Sequence, residues 1–341
     1  MVELVIGGHF IFPSQPKIVS TGTVCGPIEK ASPFSVYFDQ LSSDELFGED
    51  TNEKAHALLT KQAIETAIRK AGIHQKEIDV VLAGDLINQM TPTSFAMATL
   101  ESPFMGVFSA CATSISSMII GAALLEGKLA STVVTAASSH HNAVERQFRY
   151  PVDYGAQKPP TSQWTVTAGG AAVISRGVSN KPIIVRATVG KVIDSTCTDP
   201  LDMGSAMAPA AFDTIVRHLE SSDADSYDLV ITGDLGKTGY QALLELSKQH
   251  LFFQSKVKEL RDGGVEYFGG NEKFLSGASG AGCSASVFFG PIYMDLLAGR
   301  VKRVLLVATG ALLSPLSFQQ GMTIPTTAHA VEVVMEGGTS G

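Results

Sequence analysis

Cys111 lies in the stretch FSACATSIS, after an apolar run and before a helix-sized segment. A thiol at a helix start ionises more readily than a free one and can act as a nucleophile, while cysteine also serves as a small buried hydrophobe. Both readings stand on residue type alone. A cysteine nucleophile needs a base and a donor for the oxyanion. Of the eight histidines, His56, His74, His218 and His250 have charged neighbours along the chain and are expected at the surface. His140 and His141 follow an apolar run and open a stretch that also carries Arg146 and Arg149, the densest cationic group near any pocket-forming element. Such a group could hold a carboxylate or phosphate, or form ordinary ion pairs. Asp234 ends a second apolar run, as Asp85 ends a first; an acid there is either a turn or helix cap or a pocket acid able to help hold Ca²⁺. The glycine-rich stretch GASGAGCSAS, 277–286, lacks a phosphate-loop signature and adds Ser279, Cys283 and Ser284.

The elements that must position these residues occur twice. DVVLAGDL at 79–86 is echoed by DLVITGDL at 228–235, each a buried strand closed by a turn. SACATSISSMIIGAALLEGKLA at 109–130 is echoed by AGCSASVFFGPIYMDLLAGRV at 281–301, with Cys111 and Cys283 aligned 172 residues apart. At the same offset Gly127-Lys128 matches Gly299-Arg300, a glycine and a cation suited to ending a helix. TVVTAAS (132–138) answers RVLLVATG (303–310), and TAGGAAVIS (167–175) answers TAHAVEVV (327–334). The spacing predicts two central helices, begun near Cys111 and Cys283 and related by a pseudo-twofold axis. Plainer helices are expected over 53–71, where Ala55, Leu58, Leu59, Ala63 and Ile68 share a stripe before Gly72, over 209–220 with Pro209 in the first turn, and over 240–260. The segment 140–165, aperiodic from 145 onward, reads as a long functional loop.

The whole chain sets limits. Its 341 residues are 45% hydrophobic and 17% charged, which excludes disorder and coiled coil. The 25 Lys and Arg against 33 Asp and Glu leave a net charge of −8, with no long basic run, so nucleic-acid binding as the main function is excluded and an anion must be held by a local cluster. Four scattered cysteines without a CxxC pair fit a reduced compartment. No signal peptide is read at the start. The uncharged stretches 102–125, 274–294 and 304–331 contain too much Ser, Thr, Gln, Gly and Pro for a lipid-facing helix, so no transmembrane helix is expected.

The two similar halves, SACATS at the first central helix and the closing GGAAVIS strand resemble the thiolase superfamily, above all its ketoacyl-acyl-carrier-protein synthase III type. The resemblance spans nearly the whole chain. It implies an α/β, thiolase-like fold of two pseudo-repeated halves in a layered αβαβα body, divided as 1–178 and 179–341. AGDLINQ, SACATSISS, SSHHNAVERQFRYPVDYGAQKP, DMGSAMAPAA and VATGALLSP are similar, more closely, to the stage V sporulation protein AD family of endospore formers. That likeness implies binding of dipicolinic acid (pyridine-2,6-dicarboxylate) and joint action with the other SpoVA membrane proteins in moving it into and out of the spore. It also implies synthesis in the cytoplasm and a peripheral place at the spore inner membrane. It implies no cofactor; Ca²⁺ bound together with the ligand, as the chelate, and a homodimer are both compatible with it.

The departures from the synthase pattern point away from catalysis. Where the synthases have His in a His-x-Ala-Asn context, this chain reads TGDLGKT with Asp234, and where they have Asn before the second helix it has Ala281. A lone thiol cannot run a condensation that needs oxyanion donors. The expectation is therefore a pocket kept without its chemistry, with Cys111 a vestigial nucleophile position. Cys111 and Asp234 are expected to line one cavity, with His140, His141, Arg146 or Arg149 at its mouth and Ser279, Cys283 and Ser284 nearby. The rival readings are an acyl-transfer enzyme using Cys111 with His140 or His141 as base, and a scaffold that only docks on membrane partners.

Overall fold

The computed structural model describes residues 7–148 and 158–335. Its core strands in chain order are β1 (Lys17–Cys25), β2 (Val80–Gly84), β3 (Phe104–Gly106), β4 (Thr132–Ser139) and β5 (Ala168–Ser175). They are followed by β6 (Ile183–Val189), β7 (Leu229–Thr232), β8 (Leu260–Asp262), β9 (Arg303–Ala311) and β10 (Pro325–Val334). Strands β4, β7 and β9 are rich in Val, Ile, Leu and Ala, as expected of strands covered on both faces. The sheet order is β8-β7-β9-β10-β6-β1-β5-β4-β2-β3. Read outward from the centre, the first half runs first, fifth, fourth, second, third strand, and the second half repeats that order. The directions repeat too: β2 is parallel to β3 and β4, and β7 to β8 and β9, while β5 and β10 are antiparallel to their neighbours. In the large sheet the halves join where Lys17 of β1 pairs with Ile183 of β6 and where His9–Ile11 pairs with Arg186–Thr188 of β6.

Helices complete the layers. Helix α1 (Asn52–Ala71) covers the first half, with Thr51 capping the Lys54 amide and Gly72 left-handed at its end. Helix α2 (Thr113–Glu126) is apolar all round, because it packs between β4 of its own half and β9 and β10 of the other. The amphipathic helix α3 (His141–Phe148) follows β4. Helix α4 (Met203–Ser221) covers the second half, and α5 (Ala281–Val287), continued by further helical turns to Leu297, packs against β4 and β5 of the first. The result is the layered αβαβα body. Residues Ile115, Met118, Leu125, Val287 and Phe288 of the central layer are buried in one apolar core.

The structure corrects several sequence expectations. The segment 140–165 is not one loop: α3 occupies its start and a short strand, Trp164–Thr165, its end. Pro209 lies inside α4, not in its first turn, because Asp202 caps the helix a turn and more upstream. The stretch 240–260 divides into Gly236–Lys248 and Leu251–Lys256 before β8. His56 and His218 are buried, not exposed, since their helices turn them inward while the charged neighbours face out. Among the described residues no helix is long and apolar enough to cross a membrane.

Candidate functional site

Cys111 stands two residues before α2, in a turn with strained geometry. Ala110 has φ +48°, a left-handed conformation uncommon for a residue with a Cβ. The turn is held from several sides. The Ala112 amide donates to the Ser109 carbonyl at 2.9 Å, and the Thr113 hydroxyl to the Ala110 carbonyl at 2.6 Å. Strand β9 lies so close that a Cβ on Gly310 would sit 2.5 Å from the Ser109 carbonyl oxygen. His329 of β10 accepts the Gly190 amide on Nδ1 at 3.1 Å, which leaves the proton on Nε2 to donate to Ser109 Oγ at 3.2 Å. Burial holds this imidazole down to about 4, so it is neutral at physiological pH. Ser284 Oγ donates to the Cys111 carbonyl at 3.1 Å and meets Ser114 Oγ at 2.9 Å, joining the starts of the two central helices.

A cavity of about 40 Å³ opens in front of Cys111. Ala110, Cys111, Ser279 and Gly280 form its inner end, Met203 and Met207 of α4 one wall, and Ala311, Leu313, Leu86 and Phe108 the rest. No charged side chain is among these lining residues. Ser279 is placed by a two-stranded ladder in which Ala278 and Ser279 pair with Trp164 and Thr165.

Asp234 does not line the cavity; it lies behind it. Its carboxylate accepts the Gly280 amide and the Thr309 hydroxyl, each at 3.0 Å, and its carbonyl accepts from Gln163 Nε2 at 2.6 Å. The acid thus anchors the glycine loop to β9. Asp262 beside it is pushed up to about 7, first by burial and further by repulsion from Asp234, against the hydrogen bonds it accepts from Thr232, Leu235 and Val265.

The cationic group expected at the mouth is placed elsewhere. His140 is buried at the end of β4, where its Nε2 donates to the Glu45 carbonyl at 2.9 Å. Its ring lies 6.3 Å from that of His56, and burial lowers the pKa of both. His141 donates from Nδ1 to the Thr165 carbonyl at 2.7 Å and stacks on Trp164 at 4.0 Å. Arg146 is exposed on α3, where it donates to the Asn142 carbonyl and pairs with Glu53. Arg149 lies outside the described residues. Cys283 and Ser284 are fully buried in the first turn of α5; the Cys283 thiol faces the Gly233 carbonyl at 3.5 Å, and burial raises its pKa. Of the nine candidate residues, the structure brings Cys111 and Ser279 to the cavity surface. Sequence reasoning missed the walls and the turn holders. Met203 and Met207 repeat at i and i+4 in DMGSAMAPAA, a spacing that marks one helix face, whereas His329 and Gly310 meet the turn only through the sheet.

Layers, sheet order and a cysteine turn at the central helix define a thiolase-like condensing-enzyme fold, and solved structures of that class match it. They include 3-oxoacyl-[acyl-carrier-protein] synthase III from Aquifex aeolicus (TM-score 0.54, 15% identity, 94% of this chain and 99% of that one). A variant of OleA from Xanthomonas campestris matches with TM-score 0.58 at 15% identity, over 95% and 99% of the two chains. The tetronic acid condensing enzyme AbyA1 gives 0.60 at 15% identity, over 94% and 99%. In sequence, residues 8–334 match the family Stage V sporulation protein AD (SpoVAD). Stage V sporulation protein AD of Bacillus subtilis (strain 168) is 40% identical over 333 residues, 97% of this chain and 98% of that protein. The chain belongs to the stage V sporulation protein AD family.

Proposed function

We propose that this protein serves sporulation as a non-catalytic binder of dipicolinic acid, taking it in the cavity before Cys111. It works beside the SpoVA membrane proteins, at the periphery of the spore inner membrane. The observation that supports the reading is a cavity in front of Cys111 whose described lining holds neither a histidine nor an asparagine, the groups that the resemblance to the synthases would place beside the thiol. In the synthases that the chain resembles, a His and an Asn stand where this chain has Asp234 and Ala281. Asp234 is engaged by Gly280 and Thr309 behind the wall, and Ala281 offers only a methyl group. A carboxylate so placed neither takes the proton a condensing base must take nor donates to an oxyanion.

Charge and size define the bound species. Burying each unpartnered carboxylate costs several kcal/mol, and no cation is among the described residues that line this cavity. The neutral calcium chelate avoids that cost, so the chelate is the ligand that this wall favours over the bare dianion. Ser279 and the positive end of the α2 dipole supply the polar contacts. A volume of about 40 Å³ holds a few water molecules, whereas a ring the size of benzene needs about 150 Å³. Phe108 and Leu313 at the mouth therefore swing aside to admit the pyridine ring.

The test pairs two assays on the purified chain. Acyl and malonyl thioesters should give neither turnover nor an acyl adduct on Cys111, while equilibrium dialysis against labelled dipicolinate with Ca²⁺ should saturate. Turnover abolished by Cys111→Ser would establish the acyl-transfer reading instead. Neither turnover nor binding would leave a scaffold.

A further inference from the structure

A cleft of about 510 Å³ opens beyond Ser221, where α4 stops and the loop 222–226 takes over its face of the sheet. It lies at the opposite end of β9 and β10 from the Cys111 turn, between Arg186, Arg303 and Glu332 of the sheet and Asp223 and Asp225 of the loop. The fold does not ask for these charges, as the first half shows. Val173 of β5 is flanked by Ser20 of β1 and Val134 of β4, just as Glu332 of β10 is flanked by Arg186 of β6 and Leu305 of β9. Thr132 stands two residues before Val134, as Arg303 stands two before Leu305, so each shares a face with its neighbour. Ser20, Val173 and Thr132 in one half are therefore Arg186, Glu332 and Arg303 in the other. Val173 simply packs in the apolar layer under α1, whereas a buried carboxylate carries a desolvation cost of several kcal/mol.

The charges of the cleft are unequally matched. Glu332 is buried and accepts from His218 Nε2 at 3.2 Å, from the Tyr227 hydroxyl at 2.9 Å and from the Arg303 guanidinium. Burial works against its charge, but these partners outweigh burial and hold the carboxyl below its usual range. Arg303 is neutralised in that set. Arg186 is not: its side chain is 12% exposed, and it donates to the Ser221 carbonyl at the end of α4. Among the described residues the acid that Arg186 meets is Asp223, at 3.6 Å and wholly in water, where an ion pair is weak. One mostly buried cation is thus left at the sheet side of the cleft, with two exposed carboxylates on the loop side.

We propose that this cleft is a second ligand site, which binds a zwitterion: an α-amino acid with an apolar side chain. Its carboxylate takes the Arg186 guanidinium, whose planar fork matches a carboxylate. Its ammonium group takes Asp223 and Asp225, and its side chain lies against Ile11, Val185 and Val334, which give the cleft an apolar side. A bare anion would meet the two loop acids and a chain of net charge −8, and a bare cation would meet two guanidiniums. A zwitterion meets a complementary charge on each side. The volume falls within the range of about 300–1,000 Å³ usual for small-molecule sites.

The test is calorimetric titration of the full chain with L-leucine and L-valine, and with two half-ligands. These are 4-methylpentanoate, which lacks the ammonium group of leucine, and 3-methylbutylamine, which lacks its carboxylate. At least one of the amino acids should give saturable heat, and both half-ligands should bind about tenfold more weakly or worse, the loss expected when a charged partner is removed. Arg186→Gln should weaken amino-acid binding by a similar factor. So should Asp223→Asn with Asp225→Asn, a double variant whose substituted side chains face water and which holds the test if Arg186→Gln is poorly folded. Dipicolinate titration of the double variant should match the wild type, because the cleft and the Cys111 cavity share no lining residue. No saturable heat with either amino acid, a half-ligand that binds as tightly as the whole, or full affinity in the double variant would overturn the proposal.

Discussion

Asp234 does a structural task, anchoring the glycine loop to β9 through the Gly280 amide and the Thr309 hydroxyl. Asp234→Ala removes the acceptor for the Gly280 amide and the Thr309 hydroxyl, and should cost about 1–3 kcal/mol, read as a lowered melting temperature. Any accompanying loss of dipicolinate affinity should be equal with Ca²⁺ and with chelator; a loss confined to Ca²⁺ would place the carboxylate on the metal. Glu29 provides a second test at this scale. It is buried beneath the Thr167 amide, and burial pushes its carboxyl up to about 8. An acid with a raised folded pKa stabilises while protonated, so its contribution is complete below about 4.5 and is lost as pH rises toward 8. The buried His56 and His329, held near 4, act in the opposite sense, but only below about 6.5. Between pH 6.5 and 8.5 Glu29 should therefore lose about 2 kcal/mol of stabilisation, at 1.36 kcal/mol per pH unit, with a smaller loss of the same sign from Asp262, and Glu29→Gln should remove the larger part of that slope in thermal melts. An unchanged slope would mean the carboxyl is not protonated in the fold. The candidate cysteine was legible because its spacing from Cys283 repeats. The burial of His56 and His218 was not, because charged neighbours along a helix lie on its other face, and only the packed sheet shows which face a histidine takes.

At the scale of elements, the site is made where β9 presses on the turn before α2. Gly310→Ala would put a methyl group into the Ser109 carbonyl. The turn must move, which should cost about 1–3 kcal/mol of stability and shift Cys111 at the cavity surface, so dipicolinate affinity should fall along with the melting temperature. Unaltered affinity would show that the turn does not shape the site. The paired strands and the two central helices were legible because buried strands read as apolar runs and their order recurs. Helix α3 was not: it has eight residues, and its buried Ala143, Val144 and Glu145 span too little chain for a period to be counted. That placement also explains the cations. Arg146 sits on the outer face of α3 against Glu53 of α1, and His141 is turned under it onto Trp164, so residues dense in sequence diverge in space.

At the scale of the molecule, a duplicated fold sets a cavity at the seam between halves, with the Cys111 turn from one and the glycine loop and α4 from the other. The sequence could place the seam but not its volume or polarity, which depend on side chains from both halves meeting across it. The central claim is that this seam cavity receives dipicolinate as its calcium chelate and performs no condensation. Calorimetric titration of the wild type and of Ala311→Phe, which fills the cavity from its half-exposed rim, tests that claim most directly. The account predicts saturable heat for the wild type with Ca²⁺, at least about tenfold weaker binding with chelator, since no cation is among the described residues of the wall, and no saturable heat for Ala311→Phe. A wild type that takes up no ligand, or an Ala311→Phe variant that binds as the wild type does, would contradict it.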